Sequence, residues 1–227
     1  MEAAERDQRT REPQTPNYVA VEGVIGAGKT SLAMRMADRI GGFGLLEIVE
    51  ENPFLEEFYQ DRRAFAFQTQ IFFLLSRYRQ QRALLQRDLF RGTVISDYMF
   101  EKDRIFANIN LDDHELDMYN QIFGLMEREL PKPERIVFLQ ASTDLLLERI
   151  ARRGRAFERG MDPEYLETLN EAYAYFFAHL QGTPVLVINA GEVDFVEHPD
   201  LVGEVWQALL RAGAGTTLFR PDAPARD

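Results

Sequence analysis

The sequence predicts an α/β fold, with one domain built on a five-stranded parallel sheet and helices on both of its faces. The main observation is a regular alternation of short apolar runs with longer helical stretches. Runs that are apolar throughout are typical of parallel strands, because helices cover such a sheet on both sides. The second observation is a glycine-rich segment between the first strand and the first helix, at the edge where such sheets bind ligands.

The predicted elements follow one another as strand and helix units. The strands are 18–21, 45–49, 93–96, 135–139 and 185–188. The helical stretches are 31–40, 53–90, 115–129, 143–152, 163–181 and 199–211. A chain of 227 residues is long enough for one domain with a proper core, so we expect a single domain.

The two ends of the chain have a different composition. Residues 1–16 are rich in charge and contain two prolines, which predicts a disordered arm. Residues 213–227 repeat Gly, Ala and Pro, which predicts a flexible tail. The folded domain is therefore expected over residues 17–212.

The glycine-rich segment 23–30 fits the pattern Gly-x-x-x-x-Gly-Lys-Thr, which predicts a phosphate-binding loop. Its backbone amides and the helix N-terminus would point at one anion, with Lys29 reaching the β- and γ-phosphates and Thr30 holding Mg²⁺. The residues predicted to bind the triphosphate are Gly23, Gly26, Ala27, Gly28, Lys29, Thr30 and Ser31. The alternative is a glycine-rich turn at the edge of a Rossmann-like sheet.

Composition excludes several classes of function. The net charge of −11 argues against nucleic acid or an anionic membrane as a partner, since both require a basic face. Cysteine is absent, which excludes disulfides, thiolate metal sites and cysteine nucleophiles. No apolar run is long enough for a membrane span or a secretory signal, so a cytoplasmic protein is expected.

Further motifs follow the loop, and the Asn-Lys-x-Asp guanine reader of a switch GTPase is absent. The motifs lie at 47–54, 59–77, 97–104, 149–158 and 189–195. In this order they resemble the deoxyribonucleoside kinase family, and the resemblance runs from Tyr18 to Leu210. It implies a P-loop NTPase fold, a homodimer, and transfer of the γ-phosphoryl group of ATP to the 5′-hydroxyl of a deoxyribonucleoside.

The resemblance assigns the catalytic base to the end of the second strand. In the family a Glu within Glu-Pro-Val accepts the 5′-hydroxyl proton, and the matching stretch here is Glu47-Ile48-Val49. The proline is missing, which leaves the register open. Glu47 is therefore the first candidate and Glu50 the alternative.

The resemblance also implies a nucleoside pocket. Gln70 and Arg77 are seven residues apart, hence on one face of a helix, and a side-chain amide offers both a donor and an acceptor to a base edge. Asp103 would complete the polar end of the base pocket. Tyr59 and Glu158 would bind the sugar 3′-hydroxyl. Thymidine-preferring members have apolar residues at the positions of Arg77 and Asp103, so a purine deoxynucleoside is favoured and deoxycytidine stays possible.

The third strand is followed by Asp97, which keeps the acidic residue of the family and would help to hold Mg²⁺. Tyr98 departs from the pattern, because the family has Arg there. Lys102, one helical turn onward, is the candidate to supply the missing charge.

Two segments complete the predicted ATP site. Arg149, Arg153 and Arg155 match the lid motif Arg-x-x-x-Arg-Gly-Arg, in which planar guanidinium groups would stabilise charge on the transferred group. Asp194 and Phe195 resemble the loop that closes on the adenine.

Two other functions stay open on the sequence. A nucleoside monophosphate kinase would share the loop and the lid, with Arg62, Arg63 and Arg104 available for an acceptor phosphate. A non-catalytic nucleotide-binding regulator would need neither Glu47 nor the lid.

Overall fold

The computed structural model describes residues 15–86, 92–193, 195 and 198–221. Within these residues one sheet of six parallel strands is present, in the order β2-β3-β1-β4-β5-β6. The strands are β1 (Tyr18–Gly23), β2 (Phe43–Leu45), β3 (Val94–Ser96), β4 (Arg135–Gln140), β5 (Val185–Asn189) and β6 (Thr216–Leu218).

Eight α-helices lie in the described part of the chain. They are α1 (Lys29–Ile40), α2 (Leu55–Gln60), α3 (Arg62–Gln86), α4 (Lys102–Asn110), α5 (Asp113–Glu127), α6 (Thr143–Arg153), α7 (Pro163–His179) and α8 (Leu201–Arg211). A short 3₁₀ helix, Ala156–Glu158, follows α6. None of these helices has both the length and the apolar composition that a membrane span requires.

The central strand explains where the site forms. Every residue of β1 is buried, and the strand pairs with β3 on one side and β4 on the other. The chain leaves β1 for β2 on one side of the sheet and later crosses back over β1 to reach β4. A crevice therefore opens at the carboxyl ends of β1 and β3, as the topology of doubly wound sheets requires.

The helix boundaries near this crevice follow from local sequence. Gly41 and Gly154 stop α1 and α6 in the left-handed conformation, with φ of 62° and 70°. Ser142 caps the start of α6 by accepting from the Leu145 amide. Asp162 caps α7, whose first residue is Pro163. These signals fix the ends of α6 and the start of α7, so the predicted lid motif begins in the last turns of α6 and continues into the segment before α7.

The structure corrects the predicted strand count. The sheet has six strands, because Thr216–Leu218 pairs in parallel with β5. This strand lies in the segment predicted to be a flexible tail, and its residues are all exposed. An exposed edge strand lacks the apolar run that indicated the other five, which is why the sequence did not reveal it.

Other boundaries also differ from the prediction. The second strand is Phe43–Leu45 instead of 45–49, so Glu47 lies in the loop that follows it. The described residues of the predicted helical stretch 53–90 form two helices, α2 and α3, and residues 87–90 lie outside the described part. Helix α4 was not predicted. The predicted disordered arm lies outside the described residues except for 15 and 16, and the Pro16 carbonyl already accepts a hydrogen bond from Thr93.

Candidate active site

The loop between β1 and α1 has the backbone conformation that its glycines permit. Gly26 and Gly28 have φ of 89° and 98°, a region that other residues avoid. A Cβ on Gly26 would also lie 2.9 Å from the Leu146 carbonyl oxygen, so the loop packs directly against α6. The Leu32 amide donates to the Gly28 carbonyl, which starts α1 at the end of the loop.

A cavity of about 660 Å³ opens over this loop. It is lined by residues 26–31 of the loop, by Arg149, Arg152, Arg153 and Arg155, and by Ala190, Val193 and Phe195. Backbone amides on one side and four guanidinium groups on the other suit a polyanion such as a triphosphate. Asp194 lies outside the described residues.

Arg149 fixes one wall of the cavity. Its guanidinium donates to the Ala27 carbonyl at 3.2 Å and to the Ala190 carbonyl at 2.8 Å. These bonds connect α6 to the phosphate loop and to the segment after β5. Arg152 was not among the predicted residues, although it stands inside the arginine motif.

The two predicted Mg²⁺ ligands lie next to each other. The Thr30 hydroxyl donates to Asp97 Oδ2 at 2.5 Å, and Asp97 is nearly fully buried. The described residues contain no cluster of three or more His, Asp or Glu side chains that could hold a metal. Two oxygen donors beside a phosphate loop fit Mg²⁺, which usually takes its other ligands from phosphates and water.

Asp97 also connects the phosphate loop to Glu47, the predicted catalytic base. Its Oδ1 accepts from the Glu47 amide at 2.7 Å. One carboxylate therefore contacts both the phosphate-loop hydroxyl and the backbone that carries Glu47.

Two cations hold the Glu47 carboxylate. Arg77 donates to Oε1, with Nε at 2.7 Å, and Lys102 donates to Oε2 at 2.7 Å. Burial by itself raises the pKa of Glu47, but the positive charges of Arg77 and Lys102 outweigh it and hold that pKa well below its usual range. Glu47 is thus ionised at neutral pH, the form that accepts a proton.

Glu50 is in a different environment. Its side chain is about half exposed and pairs with Arg155 at 2.7 Å. It therefore contacts the arginine segment after α6, while Glu47 lies in the buried cluster beside Asp97.

The predicted base-reading residues form a polar cluster on α3 and α4. Arg77 makes an ion pair with Asp103 Oδ1 as well as with Glu47. The guanidinium also lies over the Phe73 ring, 4.8 Å from its centre. Among the described residues, the buried Asp103 Oδ2 and Gln70 Oε1 have no hydrogen-bond partner. Buried acceptors without donors are unfavourable, so this cluster is suited to a ligand that brings N–H groups.

The predicted sugar-binding residues belong to two other segments, with Tyr59 on α2 and Glu158 in the short 3₁₀ helix after α6. Glu158 is buried and accepts from Arg153 at 2.6 Å, and the Tyr59 ring stacks on Phe157 with centres 6.2 Å apart. Burial raises the pKa of Tyr59, and the charge of Glu158 raises it further, so the phenol stays protonated and able to donate. The structure thus brings Tyr59 next to the short 3₁₀ helix that carries Glu158, through the ring of Phe157.

Tyr98 does not occupy the place of the expected Arg. It is fully buried and its hydroxyl donates to Gln80 at 2.9 Å. Gln80 in turn donates to the Leu46 carbonyl. Tyr98 therefore supports the loop before Glu47 and takes no part in lining the cavity.

A buried carboxylate that the sequence analysis did not single out lies at the end of β1. Glu22 accepts from the Met99 amide at 2.6 Å and from the Gly23 amide at 3.3 Å. Burial raises the pKa of Glu22 to about 7, although the charges of Lys102 and Lys29 oppose the shift. Burial and the charge of Lys102 lower the pKa of Lys29 to about 8. In the sequence, the only signal for Glu22 is its position directly before the phosphate loop.

The sequence profile of the deoxynucleoside kinase family matches residues 19–210. The chain belongs to the deoxynucleoside kinase family. A deoxyguanosine kinase of Bacillus subtilis (strain 168) is 40% identical over 187 residues, which cover 80% of this chain and 90% of the relative. A deoxyadenosine kinase of Dictyostelium discoideum is 34% identical over 181 residues, covering 77% and 73% of the two chains.

Solved structures of deoxynucleoside kinases share the fold. The structure of deoxyadenosine kinase from M. mycoides with dCMP and a flexible dCDP bound has a TM-score of 0.73 and 27% sequence identity, covering 84% of this chain and 99% of the other. The same enzyme with bound dCTP gives a TM-score of 0.71 and 28% identity over the same shares. The P-loop NTPase fold predicted from the sequence is confirmed.

Proposed function

We propose that this deoxynucleoside kinase transfers the γ-phosphoryl group of Mg-ATP to the 5′-hydroxyl of a purine deoxyribonucleoside in nucleotide salvage. Deoxyadenosine or deoxyguanosine is favoured over deoxycytidine. The observation that carries the proposal is a continuous series of contacts from the phosphate loop to the polar pocket: Thr30 to Asp97, Asp97 to Glu47, Glu47 to Arg77 and Arg77 to Asp103. This series joins the triphosphate cavity to the base-reading cluster through two carboxylates, Asp97 and Glu47.

The triphosphate is bound by the loop amides and Lys29 on one side, and by Arg149, Arg153 and Arg155 on the other. Thr30 and Asp97 would hold Mg²⁺, which would neutralise part of the charge of the phosphates. The adenine lies against Phe195, which lines the same cavity as the loop.

Glu47 accepts the proton of the 5′-hydroxyl as its oxygen attacks the γ-phosphorus. The new O5′–P bond forms while the bond between the γ-phosphorus and its bridging oxygen breaks, and ADP leaves with the electron pair. Glu47 later returns the proton to water. Such chemistry depends mainly on position and electrostatics, which the contacts of the Glu47 carboxylate provide.

The nucleoside is bound at both ends. Gln70, Arg77 and Asp103 contact the base, and the unpaired buried acceptors Gln70 Oε1 and Asp103 Oδ2 support this assignment. Tyr59 and Glu158 bind the 3′-hydroxyl. The purine preference is supported by relatives named deoxyguanosine kinase and deoxyadenosine kinase.

The test is ADP release from Mg-ATP with each of the four deoxynucleosides, and with dAMP and dTMP, at equal concentration. The proposal expects the highest rate with deoxyadenosine or deoxyguanosine. Activity on monophosphates alone would make the protein a nucleoside monophosphate kinase, and ATP binding without turnover would make it a regulator. Of the three arginines available to an acceptor phosphate, Arg62 pairs with Asp162 at 2.7 Å.

A homodimer is part of the same proposal. An apolar groove of about 890 Å³ between α4 and α7 supports it, with Tyr175 68% exposed on its rim. Light scattering on the purified full chain measures the oligomeric state, and a monomer at micromolar concentration would contradict the proposal.

A further inference from the structure

Lys102 is a buried cation at the start of α4. Only 4% of the residue is exposed, and its ammonium donates to Glu47 Oε2 at 2.7 Å. Lysine is among the residues least often buried, because its charge loses the hydration of water. A buried lysine on a reactive carboxylate therefore calls for a specific role.

The two cations that contact Glu47, Arg77 and Lys102, differ in their other contacts. Arg77 contacts Asp103 and lies on the helix that carries Gln70, so it belongs to the base-reading cluster. In the part of the chain that the structure describes, the Lys102 ammonium has one hydrogen-bond acceptor, which is Glu47. The ammonium nitrogen also lies 5.9 Å from the centre of the Phe106 ring.

This difference matters when a nucleoside enters. A base that binds Arg77 uses the same guanidinium that holds Glu47 Oε1, so this restraint is shared with the substrate. Among the described residues, the Lys102 ammonium makes no hydrogen bond to the predicted base-reading residues, so its hold on Oε2 is independent of the base.

We propose that Lys102 is the positioning residue of the transfer step, which fixes the Glu47 carboxylate in line with the 5′-oxygen once the base has engaged Arg77. The inference rests on the proposed function, since it needs Glu47 as the base. The surroundings agree with it, because the charge of Lys102 also acts on Lys29 of the phosphate loop and on Glu22 of β1.

The proposal predicts a specific kinetic pattern in the full-length enzyme, measured with the deoxynucleoside that gives the highest ADP release. Lys102→Met should lower kcat about 30- to 100-fold, because a small displacement of a reacting group has an effect of that order. The KM values for nucleoside and ATP should stay within about threefold, since Lys102 contacts no predicted ground-state ligand. Lys102→Arg should restore kcat to within about fivefold of the wild type.

Lys132→Met is the matched control. Its side chain is 66% exposed and pairs with Glu127 at 3.1 Å and Glu101 at 3.9 Å instead of with Glu47, so wild-type kinetics are expected. Should the methionine variant fail to fold, Lys102→Gln is a polar substitution that removes the charge on a side chain too short to keep the bond to Glu47, and it should show the same loss of kcat.

Several results would overturn the proposal. A kcat within threefold of the wild type in folded Lys102→Met or Lys102→Gln would do so. A rise in KM for the nucleoside as large as the fall in kcat would also do so, because it would show that Lys102 acts in substrate binding. Failure of Lys102→Arg to restore the rate would overturn it as well. A wild-type enzyme that phosphorylates no deoxynucleoside would refute the proposed function itself, before any variant is compared.

Discussion

The sharpest test of the site compares two carboxylates three residues apart. Glu47→Gln removes the proton acceptor but keeps the size of the side chain, while Glu50→Gln makes the same change on the alternative candidate. The contacts of Glu47 predict a loss of at least about 100-fold in kcat, the lower end of what a positioned general base contributes. That corresponds to about 2.7 kcal/mol of transition-state stabilisation.

The same substitution should also affect stability. The Glu47 side chain is only 11% exposed and neutralises two buried cations. Removing its charge leaves Arg77 and Lys102 without their shared anion, which should destabilise the fold by about 3 kcal/mol. Thermal unfolding measures this change and shows whether the variant is folded at the assay temperature.

Glu50→Gln should behave quite differently. Glu50 is about half exposed and its pair with Arg155 is a surface ion pair, whose contribution is within about 1 kcal/mol. We expect kcat within about threefold of the wild type, with any change confined to KM for ATP. Steady-state ADP release and calorimetric titration of the nucleoside, run on both variants, separate turnover from binding. The reasoning is refuted if Glu47→Gln retains kcat within tenfold while Glu50→Gln loses it.

Three further predictions concern the metal, the base and a buried charge. Asp97→Asn weakens the anionic site beside Thr30, so a Mg²⁺ titration of ADP release should show half-maximal activity at about tenfold higher metal, and an unchanged curve would place the metal elsewhere. Asp103→Asn removes one of the two anionic partners of Arg77. The kcat/KM for the preferred deoxynucleoside should then fall about 10- to 100-fold relative to that for the other deoxynucleosides, and an equal loss for all of them would argue against base reading. Glu22→Gln tests the buried carboxyl, whose pKa is raised from 4.5 to about 7 in the folded state. The folded protein therefore binds this proton more tightly than the unfolded chain does. The free energy of unfolding of the wild type should fall as the pH rises between those two values. Urea unfolding should show the variant gaining about 2 kcal/mol on the wild type between about pH 5.5 and about pH 8, and a pH-independent difference would contradict the assignment.

The sequence alone determined the parts of this protein that are encoded locally. The phosphate loop is one, because its glycines and Lys29 lie within eight residues and the backbone conformation follows from residue type. The common face of Gln70 and Arg77 is another, since helical periodicity places them together whatever the helix packs on. The alternation of buried strands with helices gave the fold class for the same reason.

Only the tertiary structure decided which charges meet. Glu47 and Glu50 lie in one acidic run without periodicity, and the packing of α3 and α4 against that loop determines that Glu47 contacts Arg77 and Lys102. Lys102 and Glu47 are 55 residues apart, a separation at which no local rule applies. The sixth strand is likewise a long-range feature, because Thr216–Leu218 becomes a strand only by pairing with β5. Sequence patterns report the conformation of a segment, whereas ion pairs and edge strands depend on which segments the folded chain brings together.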